Sequence, residues 1–399
     1  MPPPGRGGES PKNTLALLGS LCLFLSAIEY LIPKPLPFMR IGLANLPLLA
    51  ALNIFGAKDF FLLALLKVLG QGIIGGTLFS YVFLFSLAGT FSSAALMYVL
   101  HRLSGKYIGF TGLGCAGAMT SNAVQMVLAR CFIFGPALRY LIPPFLASGF
   151  ITGIALGLFC EYFCRHSRWY ISRTMYAHTI VNHKENKNIN VINKTPCPPV
   201  PHSPFRADEL FFAGLVMALI FVFTRSISGH TAQFFFFCLL ARLSGKKIPI
   251  LATAVFMAGI VFFNLLVPYG KVLAVFGQFR ITQGSLFAGL DKALVLGGLL
   301  MLSRACVKSD LKLPGIGLLL GECFRILELM REKKGIIRPG RVIAGIDRLM
   351  LEMEAADASV PEYPPRGSKR SAKSIILLLG LIMITAVLQC LHWLPGSWG

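Results

Sequence analysis

The chain has 399 residues, of which 55% are hydrophobic and only 14% are charged. This composition excludes an ordinary soluble globule of this length and indicates a protein of the lipid bilayer. The net charge of +21 does not indicate a nucleic-acid partner, because the basic residues lie between apolar runs. The segments 165–206 and 304–373 hold 21 of the 38 Lys and Arg residues, which predicts cytoplasmic loops.

Runs of largely apolar residues, many of them near the length of about 20 that crosses a bilayer, follow one another along the chain. We predict an all-α, polytopic membrane protein with about 11 transmembrane helices, divided six and five. An N-terminus in the cytoplasm places the positively charged loops on the cytoplasmic side. The predicted spans are 14–32, 43–56, 59–77, 79–101, 108–133, 138–164, 209–227, 230–243, 249–268, 284–303 and 374–394.

The polar composition of 166–207 divides the chain into two membrane domains. This segment is basic and rich in Asn and Pro, so we predict a cytoplasmic linker between a six-helix domain at 14–165 and a second domain at 208–395.

Within the second domain, residues 316–354 form a pair of predicted amphipathic helices, named the platform below. Apolar residues repeat at helical spacing in each, first Leu320, Phe324, Leu327 and Met330, then Val342, Ile346, Leu349 and Met353. The platform is predicted to dock a partner in the cytoplasm, and the alternative is two helices lying on membrane lipid.

Polar side chains inside predicted spans are the candidate ligand-binding residues, because a charged group at the centre of a span costs a few kcal/mol unless it lines a cavity or is paired. Lys67 lies well inside the third span, and Gln71 follows one helical turn later. A polar pocket among the six helices would bind a small molecule with hydrogen-bonding or anionic groups. Amides that merely join helices are the alternative. The candidates are Glu29, Arg40, Asn45, Lys67, Gln71, Asn122 and Gln125.

Catalytic and cofactor motifs are absent from the sequence. It contains no GxxxxGK[ST] loop, so ATP would have to bind to a partner subunit, and this chain is predicted to bind no cofactor itself. HExxH, GxSxG and paired aspartate motifs are also missing, which argues against enzymatic activity. Cys160, Cys164 and His166 lack a fourth ligand at zinc spacing, so no metal site is predicted.

Three runs in the first domain resemble a known family. They are Pro37 to Leu46, which contains Gly-Leu-Ala-Asn at 42–45, then Lys67 to Gly70, and Phe85 to Gly89. They resemble the Gx transporter family, often labelled heptaprenyl diphosphate synthase component I, over about 14–165. The resemblance implies a six-helix substrate-binding component of an energy-coupling-factor transporter, with Asn45 in the matching motif.

The layout of 208–395 resembles the transmembrane coupling component of the same transporter class. The run from Arg280 to Leu286 is similar to the start of the corresponding span. In that class, short Arg-containing motifs dock onto the ATPases, and the nearest matches are Met330-Arg331-Glu332 and Asp347-Arg348-Leu349. The candidate partner-binding residues are therefore Arg325, Arg331 and Arg348.

These observations predict an importer component of a bacterial cytoplasmic membrane that captures a small molecule and couples to separate ABC-type ATPase subunits. The alternative is the membrane subunit of a heptaprenyl diphosphate synthase, which would work with a soluble catalytic partner. A ligand-free scaffold is the third hypothesis.

Overall fold

The computed structural model describes residues 11–31, 42–105, 107–180, 207–224, 226–245, 250–276, 279–307, 316–337, 341–357 and 372–389. The first domain and the segment after it form seven α-helices: α1 (Pro11–Leu31), α2 (Leu46–Ala51), α3 (Ala57–Gly75), α4 (Tyr81–Ser104), α5 (Phe110–Ala129), α6 (Ile142–His166) and α7 (Arg168–Ile180). A 3-10 turn at Leu43–Asn45 precedes α2, and a π-helical turn at Arg130–Phe134 and a 3-10 turn at Gly135–Tyr140 follow α5.

The second domain contributes seven more helices: α8 (Ala207–Val222), α9 (Ile227–Leu243), α10 (Ile250–Leu265), α11 (Gln283–Cys306), α12 (Gly317–Glu332), α13 (Val342–Asp357) and α14 (Ala372–Gln389). Strands β1 (Val272–Phe276) and β2 (Phe279–Thr282) pair in antiparallel fashion between α10 and α11. The all-α prediction missed this hairpin, because an apolar run at the end of a span carries no signal that separates strand from helix.

Four helical segments in the described parts of the chain are long and apolar enough to cross a membrane. They are Tyr81–Ser104, Phe110–Arg139, Ile142–His166 and Gln283–Cys306. Every predicted span contains a helix, but several are short: α2 has 6 residues and α9 has 17. The protein is therefore a helical membrane protein, and the count of eleven spans stays a prediction.

The segment predicted as a linker, 166–207, begins with a helix instead of a coil. Helix α7 covers Arg168–Ile180, and Trp169 in its first turn is fully buried. The polar composition of 166–207 as a whole gave no indication of this helix. Its apolar contacts come from Trp169 and Tyr170 at its start.

The predicted amphipathic pair is present as α12 and α13. In α12 the buried side chains are those of Leu320, Cys323, Ile326, Leu327 and Met330. In α13 they are those of Ile346, Leu349, Met350 and Met353. Of the residues predicted to face inward, Phe324 is half-buried and Val342 is 40% exposed.

Hydrophobic cores join the two domains of the chain. The first core combines α1, α2 and α3 with α12 and α13, and α12 packs along α1 and also contacts α3. The second core joins the α4 and α5 region to α10 and α11, where the rings of Tyr81 and Phe256 stack with centroids 5.4 Å apart. The third core lies among α8, α9, α11 and α14. The first and second cores thus contain residues of both predicted domains.

Candidate functional site

Lys67 lies at the centre of the first domain, on α3, which packs against α1 and α4. Only 4% of the residue is exposed. Its ammonium group donates to Asn45 Oδ1, at the end of the 3-10 turn before α2, and to Thr90 Oγ1 on α4 at 3.4 Å. We name Lys67, Asn45 and Thr90 the Lys67 cluster. Polar atoms from three elements therefore meet inside the bundle.

The Gly-Leu-Ala-Asn run positions Asn45. Gly42 has φ of 87°, a left-handed conformation that glycine adopts without a steric cost. Its carbonyl accepts from the Asn45 N–H at 2.8 Å, which closes the turn. A Cβ at position 42 would lie 3.1 Å from Asn45 Nδ2, so a larger residue would crowd the amide. The glycine is required both by the turn and by the amide that the turn presents.

Glu29 holds the same turn from α1. The residue is 5% exposed, and its Oε2 accepts from the Gly42 N–H at 3.2 Å. A carboxylate that accepts a backbone N–H makes a charge-assisted hydrogen bond, which is stronger than a neutral one. Glu29 therefore supports the cluster through the backbone of the turn.

The other predicted pocket residues are distributed differently. Asn122 donates to the Phe145 carbonyl on α6 at 3.0 Å, and Gln125 donates to Ser121 Oγ on its own helix at 2.9 Å. A Cβ at Gly149 would lie 2.1 Å from Asn122 Nδ2, so the amide fills the space that this glycine leaves. These contacts place Asn122 in the α5 and α6 interface, as the alternative of helix-joining amides predicted.

Gln71 and Arg40 are the remaining predicted pocket residues. Gln71 is half-buried, one turn beyond Lys67 on α3. Arg40 lies outside the described residues. Thr90 was missed, because a threonine in a helix usually bonds its own backbone and gives no distinctive pattern.

Buried polar contacts in the second domain connect neighbouring helices. His230 Nδ1 on α9 lies 2.6 Å from Asp291 Oδ1 on α11, and Lys292 donates to Asn264 Oδ1 on α10 at 3.1 Å. Asp291 and Lys292 are adjacent on α11 and thus contact different neighbouring helices. Asn264 also donates to the Ile133 carbonyl at 3.3 Å, which links α10 to the first domain.

The three candidate docking arginines differ in exposure. Arg348 is the most open, with 74% of its side chain exposed, and its Nε donates to Glu352 Oε1 at 3.1 Å. Arg331 is also exposed. Arg325 is 19% exposed and pairs with Glu322 on the same helix. The acidic residue one turn earlier draws the Arg325 guanidinium along the helix, and a docking role for Arg325 stays a prediction.

In the described parts of the chain, no three His, Cys, Asp or Glu side chains come together as a possible metal site. The Cys160 and Cys164 sulfurs lie 3.9 Å apart, both buried against the first core.

Comparison with known proteins gives one match in each half of the chain. Residues 18–163 match the family described as heptaprenyl diphosphate synthase component I. Residues 210–309 match a domain of unknown function (DUF8519), so the resemblance of the second domain to a coupling component is not confirmed. Searches of curated proteins and of solved structures found no significant match. The match to the heptaprenyl diphosphate synthase component I family thus covers residues 18–163, which is less than half of the chain.

Proposed function

We propose that this protein is a membrane transport component of the energy-coupling-factor type. The first domain captures a small polar molecule at the Lys67 cluster, and the second domain couples it to a separate ATPase for import. The observation that carries the proposal is the packing of α12, a helix of the platform, along α1 and against α3 of the first domain.

A continuous set of contacts leads from the platform to the cluster. Cys323 of α12 lies against Gly19 of α1, and a Cβ on that glycine would come within 2.7 Å of the sulfur. Further along α1, Glu29 holds the Gly42 turn that carries Asn45. Asn45 in turn accepts from Lys67. A shift of α12 driven from outside would therefore reach the cluster through α1, and such a shift is a known mode of domain switching.

The ligand side of this proposal is tested by a single substitution. Lys67→Met keeps the approximate volume of the side chain and removes its charge and donors. We expect the amount of small molecule that co-purifies with the detergent-extracted protein to fall about tenfold or more, since hydrogen bonds to a charged group contribute about 1.5–3 kcal/mol. Mass spectrometry of the extract measures it. Lys58→Met, at an exposed position near the start of the same helix, is the control.

The ATPase side is tested by pull-down of the tagged full chain from its native membrane. Arg331→Gln with Arg348→Gln is expected to lose an ATPase that the wild-type chain recovers, because a buried or interfacial arginine contact is hard to replace. The exposed Arg102 provides the control substitution Arg102→Gln. Recovery of no ATPase with the wild-type chain would contradict the proposed coupling.

The family match favours a second candidate function, the membrane subunit of a heptaprenyl diphosphate synthase. In that function too, this chain would be non-catalytic and would work with a soluble, aspartate-rich subunit. The same extracts separate the two proposals. A polar molecule of vitamin size supports import, whereas a long prenyl chain and a recovered soluble synthase support the alternative. In both cases we propose a bacterial cytoplasmic membrane with the N-terminus in the cytoplasm.

A further inference from the structure

An open groove of about 800 Å³ lies where the end of α6 and the start of α7 meet α13. Its polar lining includes His166, Arg168, Arg341 and Arg348, and its apolar lining includes Phe159 and Tyr162. We propose that this arginine groove binds the phosphate headgroup of an anionic glycerophospholipid. The proposal concerns a site remote from the Lys67 cluster and does not depend on transport.

The walls of the arginine groove are fixed to each other. Asp347 of α13 accepts from Ser167 Oγ at 2.5 Å and from the Trp169 N–H at 3.0 Å, at the first turn of α7. An ion pair of 2.9 Å between Arg173 and Glu354 joins the same two helices further along. Hydrogen bonds that a capping carboxylate accepts hold the start of a helix in place. The groove is therefore a formed feature of the fold and not a gap between loosely packed segments.

The charge of the lining suits a phosphate. Arg168 and Arg341 are exposed, and no carboxylate in the described parts of the chain pairs with either of them. One oxygen of Asp347, the acidic residue of the lining, is occupied by α7. Guanidinium groups bind phosphate through paired N–H donors, and basic pockets beside membrane helices bind anionic headgroups.

An apolar stripe on α6 leads to the groove and distinguishes a lipid from a soluble phosphate or an acidic protein. Ile151, Leu158 and Tyr162 are 66%, 56% and 54% exposed, and their spacing places them on one face of the helix. His166 follows one turn later and stacks on Tyr162 with centroids 4.0 Å apart. Tyrosine is typical of the boundary between hydrocarbon and headgroups. Acyl chains on the stripe would place the phosphate at the arginines.

Native mass spectrometry of the detergent-purified full chain tests the proposal. We expect one phosphatidylglycerol to stay bound to the wild-type chain at concentrations where phosphatidylcholine does not. Arg168→Gln with Arg341→Gln should raise the Kd for phosphatidylglycerol about thirtyfold, since each basic group near an anionic headgroup contributes about fivefold. Arg168→Lys with Arg341→Lys keeps both charges and should retain most of the binding.

Controls separate this site from ATPase docking and from free phosphate. Arg331→Gln removes an exposed arginine of the platform outside the groove, so it should leave lipid binding unchanged even where ATPase recovery fails. Equal retention of phosphatidylcholine, or unchanged retention in the double Gln variant, would overturn the proposal. Displacement of the lipid by equimolar glycerol phosphate would assign the site to a soluble phosphate. If the Arg168→Gln with Arg341→Gln variant recovers no ATPase and the wild-type chain holds no lipid, the arginine groove would be assigned to a protein partner.

Discussion

Helices α12 and α13 have the same length of 16 residues and similar amphipathic patterns, and both contact α1, yet their main helix partners differ. Helix α12 packs along α1 and turns five buried side chains toward the first core. Helix α13 packs against α7 and leaves Arg348 and Val342 exposed along the arginine groove. The platform is therefore not a symmetric pair. Helix α12 packs mainly along α1, whereas α13 contacts α7 as well as α1 and also lines the arginine groove.

The basis of this difference lies in the partner helices. Gly19 of α1 removes a side chain where α12 approaches, so the two helices meet closely. Small residues at helix interfaces allow such approach in membrane proteins. Helix α13 instead meets α7 through polar contacts of Asp347 and Glu354. The close contact of α12 with α1 agrees with α12 as the coupling element of the proposed importer.

The largest effect is expected from disturbing the α12 seam. Gly19→Ala would place a Cβ 2.7 Å from Cys323 Sγ and force the helices apart. Overpacking of this kind costs about 1–3 kcal/mol, so we expect the free energy of unfolding of the detergent-purified protein to fall by that amount. Titration with a denaturing detergent, followed by circular dichroism, measures it.

Gly321 on α12 provides a matched control for the seam. A Cβ at this position meets no atom within 4 Å, so Gly321→Ala should leave the unfolding free energy unchanged or raise it by up to about 1 kcal/mol through helix propensity. Equal behaviour of the two variants would show that α12 is not closely seated on α1. Introducing Cys323→Ala beside Gly19→Ala should recover part of the loss, because it removes the crowded sulfur.

A smaller effect is expected at the polar contact of α13. Asp347→Ala removes the acceptor for Ser167 and for the first turn of α7, which should cost about 1 kcal/mol. We expect faster amide hydrogen exchange in α7 and α13, with α12 unaffected. Asp347→Asn keeps one acceptor and should show a weaker change. If exchange rises equally in α12, the two helices open as one unit, which would contradict separate roles for α12 and α13.

Much of the fold was predictable from the sequence because apolar length and helical spacing are local properties. The positions of the helices within the predicted spans and the presence of α12 and α13 follow from them. The local properties do not predict which helices pack together. The same apolar spacing in α12 and α13 gave no indication that α12 would pack mainly on α1 and that α13 would also contact α7. Helix α7 was missed for the same reason, because its stability comes from contacts elsewhere in the chain. The β1 and β2 hairpin was missed because an apolar run does not distinguish a strand from a helix.

The candidate site was predictable only in part. Lys67 and Asn45 come together because a buried ammonium group needs acceptors, and an amide beside a left-handed glycine supplies one. Asn122 is also a polar side chain inside a predicted span, but it donates to a backbone carbonyl of α6. A sequence reveals which side chains need hydrogen-bond partners, whereas the helix packing decides whether a neighbour or a ligand provides them.

The smallest effect is expected from pH, at the junction of the two platform helices. Lys333, just after α12, donates to Glu352 of α13 at 2.9 Å, and Arg348 adds a second bond. The hydrogen bond from Lys333, followed by that from Arg348, lowers the pKa of Glu352 below its ordinary value of 4.5. The contribution to stability is therefore complete above about pH 4.5 and is lost as the pH falls through the lowered pKa.

Because these ion pairs are largely exposed, the loss on acidification should be at most about 1 kcal/mol and should shrink in high salt. Hydrogen exchange in α13, compared between neutral and acidic pH, measures it after correction for the intrinsic pH dependence of exchange. Glu352→Gln should abolish the acid-dependent part and leave α12 and its seam with α1 unchanged. An equal acid response in the Gln variant would place the responsible group elsewhere. A response in α12 would show that the junction couples the two helices.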